Sequence, residues 1–95
     1  MNTSAARWCV LIPCLNEEAA IRSVVESVLA LGAPIIVIDD GSDDRTPDIV
    51  ATLPVTLLRH HERNGKGEAL RHGFREALRQ GYDAVLTMDG DGQHL

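Results

Sequence analysis

Three times along this chain a short, unbroken apolar run gives way to a polar loop and then to helical spacing, and a fourth apolar run follows. The first run is WCVLIP, residues 8–13. It lacks the alternation of a half-exposed strand, so it predicts a strand covered on both faces and closed by Pro13. Ile21, Val24, Val25, Val28 and Leu29 then recur at i, i+3, i+4, i+7 and i+8, one face of a helix that Gly32 ends. Asn16 is placed to cap that helix, with Glu17 and Glu18 complementing the positive end of its dipole. The second run, PIIVID, leads into DGSDDRTP, where Thr46 precedes Pro47 at the first turn of a short helix through Ile49 and Val50. VTLLRH predicts a third strand and HERNGKG a loop. Ala69, Leu70, Phe74, Ala77 and Leu78 line one face of the next helix, which Gly81 terminates, and AVLTMD is the fourth strand.

Strand and helix alternate without a hairpin signal, and connections of this length force parallel pairing with right-handed crossovers. The expected fold class is therefore α/β: an open, doubly wound, Rossmann-like parallel sheet. Ligands of such sheets sit beyond the carboxyl ends of the strands, where the connecting loops converge. The three unusual loops, PCLNEE, DDGSDD and DGDGQ, all fall at those ends. No repeat, low-complexity tract or linker divides the chain.

Composition narrows the chemistry. With 95 residues the chain holds one domain at most. The net charge is −5 and Lys and Arg are scattered singly, so no basic stripe could track a nucleic acid backbone. An acidic protein that meets anionic ligands usually recruits a cation. Cys9 and Cys14 lie on one extended segment with side chains on opposite faces, so they cannot bridge each other; free thiols fit a reducing, cytoplasmic setting. The apolar run near the start is too short for a signal sequence or a membrane span.

Asp89 and Asp91 flank Gly90 at the end of the fourth strand, and the glycine lets the backbone bend both carboxylates toward one centre. Two like charges that close call for a hard divalent ion, Mg²⁺ or Mn²⁺, and Gln93 can add an amide oxygen. The competing reading is a plain polar turn, because Asp and Gly dominate turns. Asp39 and Asp40 alternate faces, so only one of them can reach the crevice. There it accepts a hydrogen bond from a base or ribose hydroxyl, or else it satisfies N–H groups of the Gly41–Ser42 turn. NGKG is not a Walker motif and no G-x-G-x-x-G follows the first strand; Lys66 either meets a diphosphate as a point charge or is simply solvated. His60, His61, His72 and His94 have no zinc spacing with the cysteines, and His94 alone sits beside the acidic pair. No nucleophile elbow is present and Cys14 has no paired base, which leaves acyl transfer without support.

Taken together and in order, VLIPCLNEE, VIDDGSDDRT, GKGEALRHGF and DAVLTMDGDGQH resemble family 2 glycosyltransferases, and among them the polyprenyl- or dolichyl-phosphate sugar synthases. The resemblance runs over residues 8–94. It implies a GT-A fold and inverting transfer of a sugar from a UDP- or GDP-linked donor, assisted by Mg²⁺ or Mn²⁺. The acceptor it implies is a polyprenyl or dolichyl phosphate or a cell-envelope glycan, as in cell wall biogenesis. By this likeness Pro13, Leu15 and Glu17 line the base pocket and Asp40 hydrogen-bonds the base. Asp89 and Asp91 form the D-x-D pair, Asp91 as the firmer metal ligand and Asp89 shared with the ribose or the ion. Two positions depart from the pattern: Leu15 replaces an aromatic residue often found there, and Arg63 stands where the family commonly has Asn.

The family's catalytic domain continues well past the D-x-D pair. Residues 1–95 are therefore expected to be its donor-binding N-terminal part, inactive alone, with the base and acceptor residues beyond Leu95. A half-covered sheet would leave apolar surface for a homodimer. The full-length parent is expected at the cytoplasmic face of a membrane. Two other readings remain: a non-catalytic interaction module, and a metal-dependent nucleotidyltransferase-like α/β enzyme.

Overall fold

The computed structural model describes residues 6–91. Strand and helix alternate as β1 (Trp8–Cys14), α1 (Ile21–Leu29), β2 (Ile35–Asp40), α2 (Thr46–Val50), β3 (Thr56–His60), α3 (Lys66–Arg79) and β4 (Ala84–Thr87). The four strands form one parallel sheet in the order β3-β2-β1-β4. The chain winds outward from β1 to β3 and then returns to the far side of β1. The sheet thus reverses its winding between β1 and β4, the place where open α/β sheets form a crevice.

Two cores explain the unbroken apolar runs. On one face Val10, Ile12, Ile35 and Val37 pack with Ile21, Val24, Val25 and Val28 of α1 and Val50 of α2; on the other Cys9, Leu11, Ile36 and Ile38 meet Ala69 and Ala77 of α3. Residues of β1 after Trp8, and all of β2, are buried because helices cover both sides. Each such Val, Leu or Ile contributes roughly 1.5–3 kcal/mol of burial. Cys9 and Cys14 are both free and face different cores. Among the described residues no helix is long and apolar enough to cross a membrane.

Two local expectations give way. The buried face of α3 is Ala69, Gly73 and Ala77, while Phe74 and Leu78 are 43% and 71% exposed. The reason is space: a Cβ on Gly73 would lie 2.8 Å from Ile38 Cδ1 and 3.2 Å from Leu11 Cδ1, so large sheet side chains already fill the gap. Only a face of small residues fits there. Nor does Asn16 cap α1, which begins at Ile21 after Ala20 with no side-chain cap. Asn16 instead takes a positive φ of 54° within the loop, and Glu17 turns the chain into the helix by accepting the Ala20 and Ile21 N–H groups at its carbonyl. The buried face of α1, rather than capping, stabilises the helix.

Candidate functional site

The loops after β1 and β2 interlock through side chains that take the place of backbone partners. Asn16 donates its N–H to Ser42 Oγ at 2.8 Å, and its Oδ1 accepts the Asp43 N–H at 2.8 Å. Glu17 donates its N–H to Thr46 Oγ1 at 2.8 Å, while Glu18 Oε1 accepts the Arg45 N–H at 2.9 Å. Asp44 accepts the Thr46 N–H and hydroxyl, closing the start of α2. Those bonds account for the run of Ser, Asp and Thr in DDGSDDRT: it is a clamp on the first loop.

Asp39 and Asp40 divide as strand alternation requires. Asp39 is fully buried on the α1 face and accepts hydrogen bonds from the Ser42 N–H and hydroxyl. Asp40 faces the α3 side and lines the crevice. Its Oδ1 accepts the Asn64 N–H at 2.9 Å and a bond from His60 Nδ1 at 2.8 Å, and its Oδ2 accepts the Gly65 N–H at 2.9 Å. Burial pushes the Asp40 carboxyl up, but the Asn64 N–H, the His60 imidazole and the Gly65 N–H outweigh that and hold it below the usual carboxylate range. The loop ahead of α3 is thereby tied to the tip of β2.

At the tip of β4, Asp89 accepts a 2.8 Å ion-pair bond from Lys66 Nζ at the start of α3. Gly90 is buried against β1: a Cβ there would stand 2.8 Å from Cys14 Cβ and 3.3 Å from the Pro13 carbonyl oxygen. Glycine is needed for close approach, which presses the acidic turn onto the β1 loop.

These tips enclose a cleft of about 360 Å³ at the β1–β4 switch point. Pro13, Leu15, Glu17, Asp40, Lys66, Asp89 and Asp91 all line it. Gln93 and His94 lie outside the described residues. Burial raises the Glu17 carboxyl, and the negative charges of Asp91, Asp44 and Asp89 raise it further. Burial likewise pushes the Cys14 thiol up to about 12, with Asp39 and Glu17 adding to the effect, so Cys14 is an inert wall rather than a nucleophile. Among the described residues no group of three or more His, Cys, Asp or Glu side chains forms a ready metal cage. Paired carboxylates on an open wall, in a negative field, fit a Mg²⁺-like ion, which keeps most of its positions for water and substrate phosphates.

Arg63 also lines the cleft, and His60 and His72 stand behind Asp40; none of the three was assigned a role at the site from the sequence. Arg63 occupies a position that differs from a familiar pattern, and the departure was itself the available signal. Parallel register sets His60 opposite Asp40, and α3 packed on the sheet brings His72 to His60, neither of which a linear reading contains. A second hollow of about 350 Å³ lies at the opposite rim, lined by residues such as Pro34, Pro54, Gln80 and Tyr82, with no charged side chain.

Comparison with known proteins supplies the context. The family model described as Glycosyl transferase family 2 matches residues 9–95. The UDP-N-acetylglucosamine–dolichyl-phosphate N-acetylglucosaminyltransferase of Methanococcus voltae is 32% identical over 103 residues, an alignment covering 90% of this chain and 41% of that protein. The poly-beta-1,6-N-acetyl-D-glucosamine synthase of Staphylococcus aureus is 33% identical over 88 residues, covering 85% and 21% respectively. Among solved structures, glucosyl-3-phosphoglycerate synthase from Mycobacterium tuberculosis, in complex with Mn²⁺, UDP and glucosyl-3-phosphoglycerate, superposes with a TM-score of 0.73 at 31% identity. That match covers 90% of this chain and 33% of the synthase. The chain thus spans well under half the length of each of these relatives.

Proposed function

The chain belongs to glycosyl transferase family 2 and carries the Rossmann-like α/β architecture of GT-A enzymes, and from that premise we propose that its rim cleft binds the nucleoside diphosphate of a nucleotide sugar. Residues 1–95 form the donor-binding part of a sugar-transfer domain, with acceptor and catalytic-base residues supplied by further sequence. The observation that carries this reading is convergence: the tips of β1, β2 and β4 and the start of α3 meet at one cleft of about 360 Å³.

Each residue has a physical task there. Pro13 and Leu15 give an apolar wall for the base, and Glu17 stands beside them at the acidic end. Asp40, ionised and already oriented by three donors, accepts one further N–H or O–H from the base or ribose. Lys66 offers its ammonium to the diphosphate as a mobile point charge. Asp89 and Asp91, with Gln93 beyond the described residues, would hold a Mg²⁺ or Mn²⁺ ion. When bound, that ion stabilises the negative charge that builds on the departing diphosphate. The reaction of the whole enzyme is transfer of the sugar, with inversion at its anomeric carbon, to an oxygen of a polyprenyl or dolichyl phosphate or of a cell-envelope glycan, while the nucleoside diphosphate departs. Without the acceptor side, orientation worth roughly 7–11 kcal/mol of barrier is missing, and this chain alone binds donor without turnover.

Calorimetry with UDP and GDP, with and without Mn²⁺, tests the reading. The expected result is Mn²⁺-dependent binding of one nucleotide that Asp91→Ala abolishes. Binding that ignores both the metal and Asp91 would remove the site from the cleft.

A further inference from the structure

We propose that His60 and His72 are positioning residues, a proton-sharing pair that fixes the Asp40 carboxylate and, through it, the loop ahead of α3 in the shape that receives the nucleoside. The functional half of this inference rests on the donor reading of the cleft.

His60 Nδ1 lies 2.8 Å from Asp40 Oδ1, and His60 Nε2 lies 2.9 Å from His72 Nδ1. The two rings are within 3° of parallel with centroids 5.1 Å apart. That separation is about the N···N distance plus two ring radii, so the rings meet edge to edge, sharing a hydrogen bond rather than a face. An ionised carboxylate only accepts, so His60 Nδ1 carries its proton. In the neutral pair His60 Nε2 is then bare, and His72 Nδ1–H donates to it. With one added proton the same contact still holds a single hydrogen. With two added protons, a pair of N–H groups would face each other and the link would break.

The link is held rigidly. His60 and Asp40 side chains are only 11% and 7% exposed, so water does not readily replace a lost partner. His72 precedes Gly73, the residue pressed against Ile38 and Leu11, so α3 cannot slide without overlap. A carboxylate has about four acceptor positions. Asp40 uses two on Oδ1 and one on Oδ2. The position left for a ligand donor is on Oδ2, and its direction is set by the three bonds already made. Around the pair stand Asp40 from β2 and, on α3, Glu68 and Glu76, one turn to either side of His72. Arg71 and Arg79 pair with Glu68 and Glu76 respectively, and Arg75 also acts on Glu68. Arg59 of β3 reaches Asp39 instead.

Two substitutions separate positioning from packing. His72→Phe keeps a ring but offers no hydrogen bond; His72→Gln loses the ring but can donate an amide N–H to His60. With UDP and Mn²⁺, His72→Phe is expected to weaken binding about tenfold and His72→Gln to recover most of it. The reverse order, Phe tolerated and Gln defective, overturns the proposal. Imidazole ¹⁵N spectra of the ligand-free chain provide the independent arm. Both rings should carry Nδ1–H, and a through-bond coupling should link His60 Nε2 to His72 Nδ1 across their shared hydrogen bond. Absence of that coupling, or an Nε2–H tautomer on His60, overturns the pairing whether or not UDP binds. The coupling present in a chain that binds no UDP would retain the pair and refute the donor reading instead.

Discussion

Replacing Asp40 by Asn changes a single atom and should show how much of the cleft hangs on one carboxylate. Three donors converge on it: the Asn64 and Gly65 N–H groups and His60 Nδ1. An asparagine must turn its NH₂ toward one side. Facing Oδ1's partners it would confront two donors, so it faces Gly65, whose N–H then loses its acceptor. The remaining two bonds fall from charge-assisted to neutral, each weaker by roughly 1 kcal/mol, and the orphaned buried N–H costs about 1–3 kcal/mol. Burying a neutral amide in place of a carboxylate returns part of this, which leaves a net loss of roughly 2–4 kcal/mol. A chain of this size has roughly 5–14 kcal/mol in total, so urea denaturation followed by circular dichroism resolves the effect easily. The Asp40 carboxyl is held below its ordinary value, so its contribution is complete above the usual carboxylate pKa near ~3.9 and disappears as the pH falls through the lower folded value. Wild type and Asp40→Asn should therefore differ at pH 7 and converge in strong acid. A variant within about 0.5 kcal/mol of wild type at neutral pH, or a gap that stays constant on acidification, would refute the argument.

Gly90→Ala should cost about 1–3 kcal/mol of stability, because its methyl meets Cys14 Cβ at 2.8 Å and the Pro13 backbone at 3.3 Å. It should also weaken Mn²⁺-dependent UDP binding at least tenfold by lifting Asp89 and Asp91 off the β1 loop; calorimetry and urea titration read the two effects separately. Phe74→Ser with Leu78→Ser should leave stability within about 1 kcal/mol, since Leu78 is largely and Phe74 nearly half exposed and neither belongs to a core cluster. If the chain pairs through this face, sedimentation of the wild type should depend on concentration and that of the double variant should not.

The apolar runs were legible because burial on both faces removes alternation from β1 and β2, and parallel order followed from connection length alone. The same reasoning misassigned the exposed side of α3. Periodicity marks where apolar residues cluster, and Leu70, Phe74 and Leu78 cluster well. What it cannot register is that Ile38 and Leu11 leave room for nothing larger than Ala69, Gly73 and Ala77 beneath the helix. Depth of contact is a property of two surfaces, and only one of them is written in the helix.

The acidic loops show the same asymmetry at the level of chemistry. Asp40, Asp89 and Asp91 announce themselves as carboxylates at strand ends. Asn16 looks like a helix cap because capping residues and loop clamps share one chemistry, an oxygen that accepts backbone N–H groups. Its true partners, Asp43 and Asp44, come close only once β1 and β2 lie side by side, Cys14 opposite Asp39. The His60–His72 contact needs that and more: β2 beside β3 in register, and α3 lowered onto the sheet by its small-residue face. Sequence therefore marks the carboxylates that line the cleft more readily than the groups that hold them in place. Register decides which neighbours can do so, and in this sheet it places an imidazole behind Asp40.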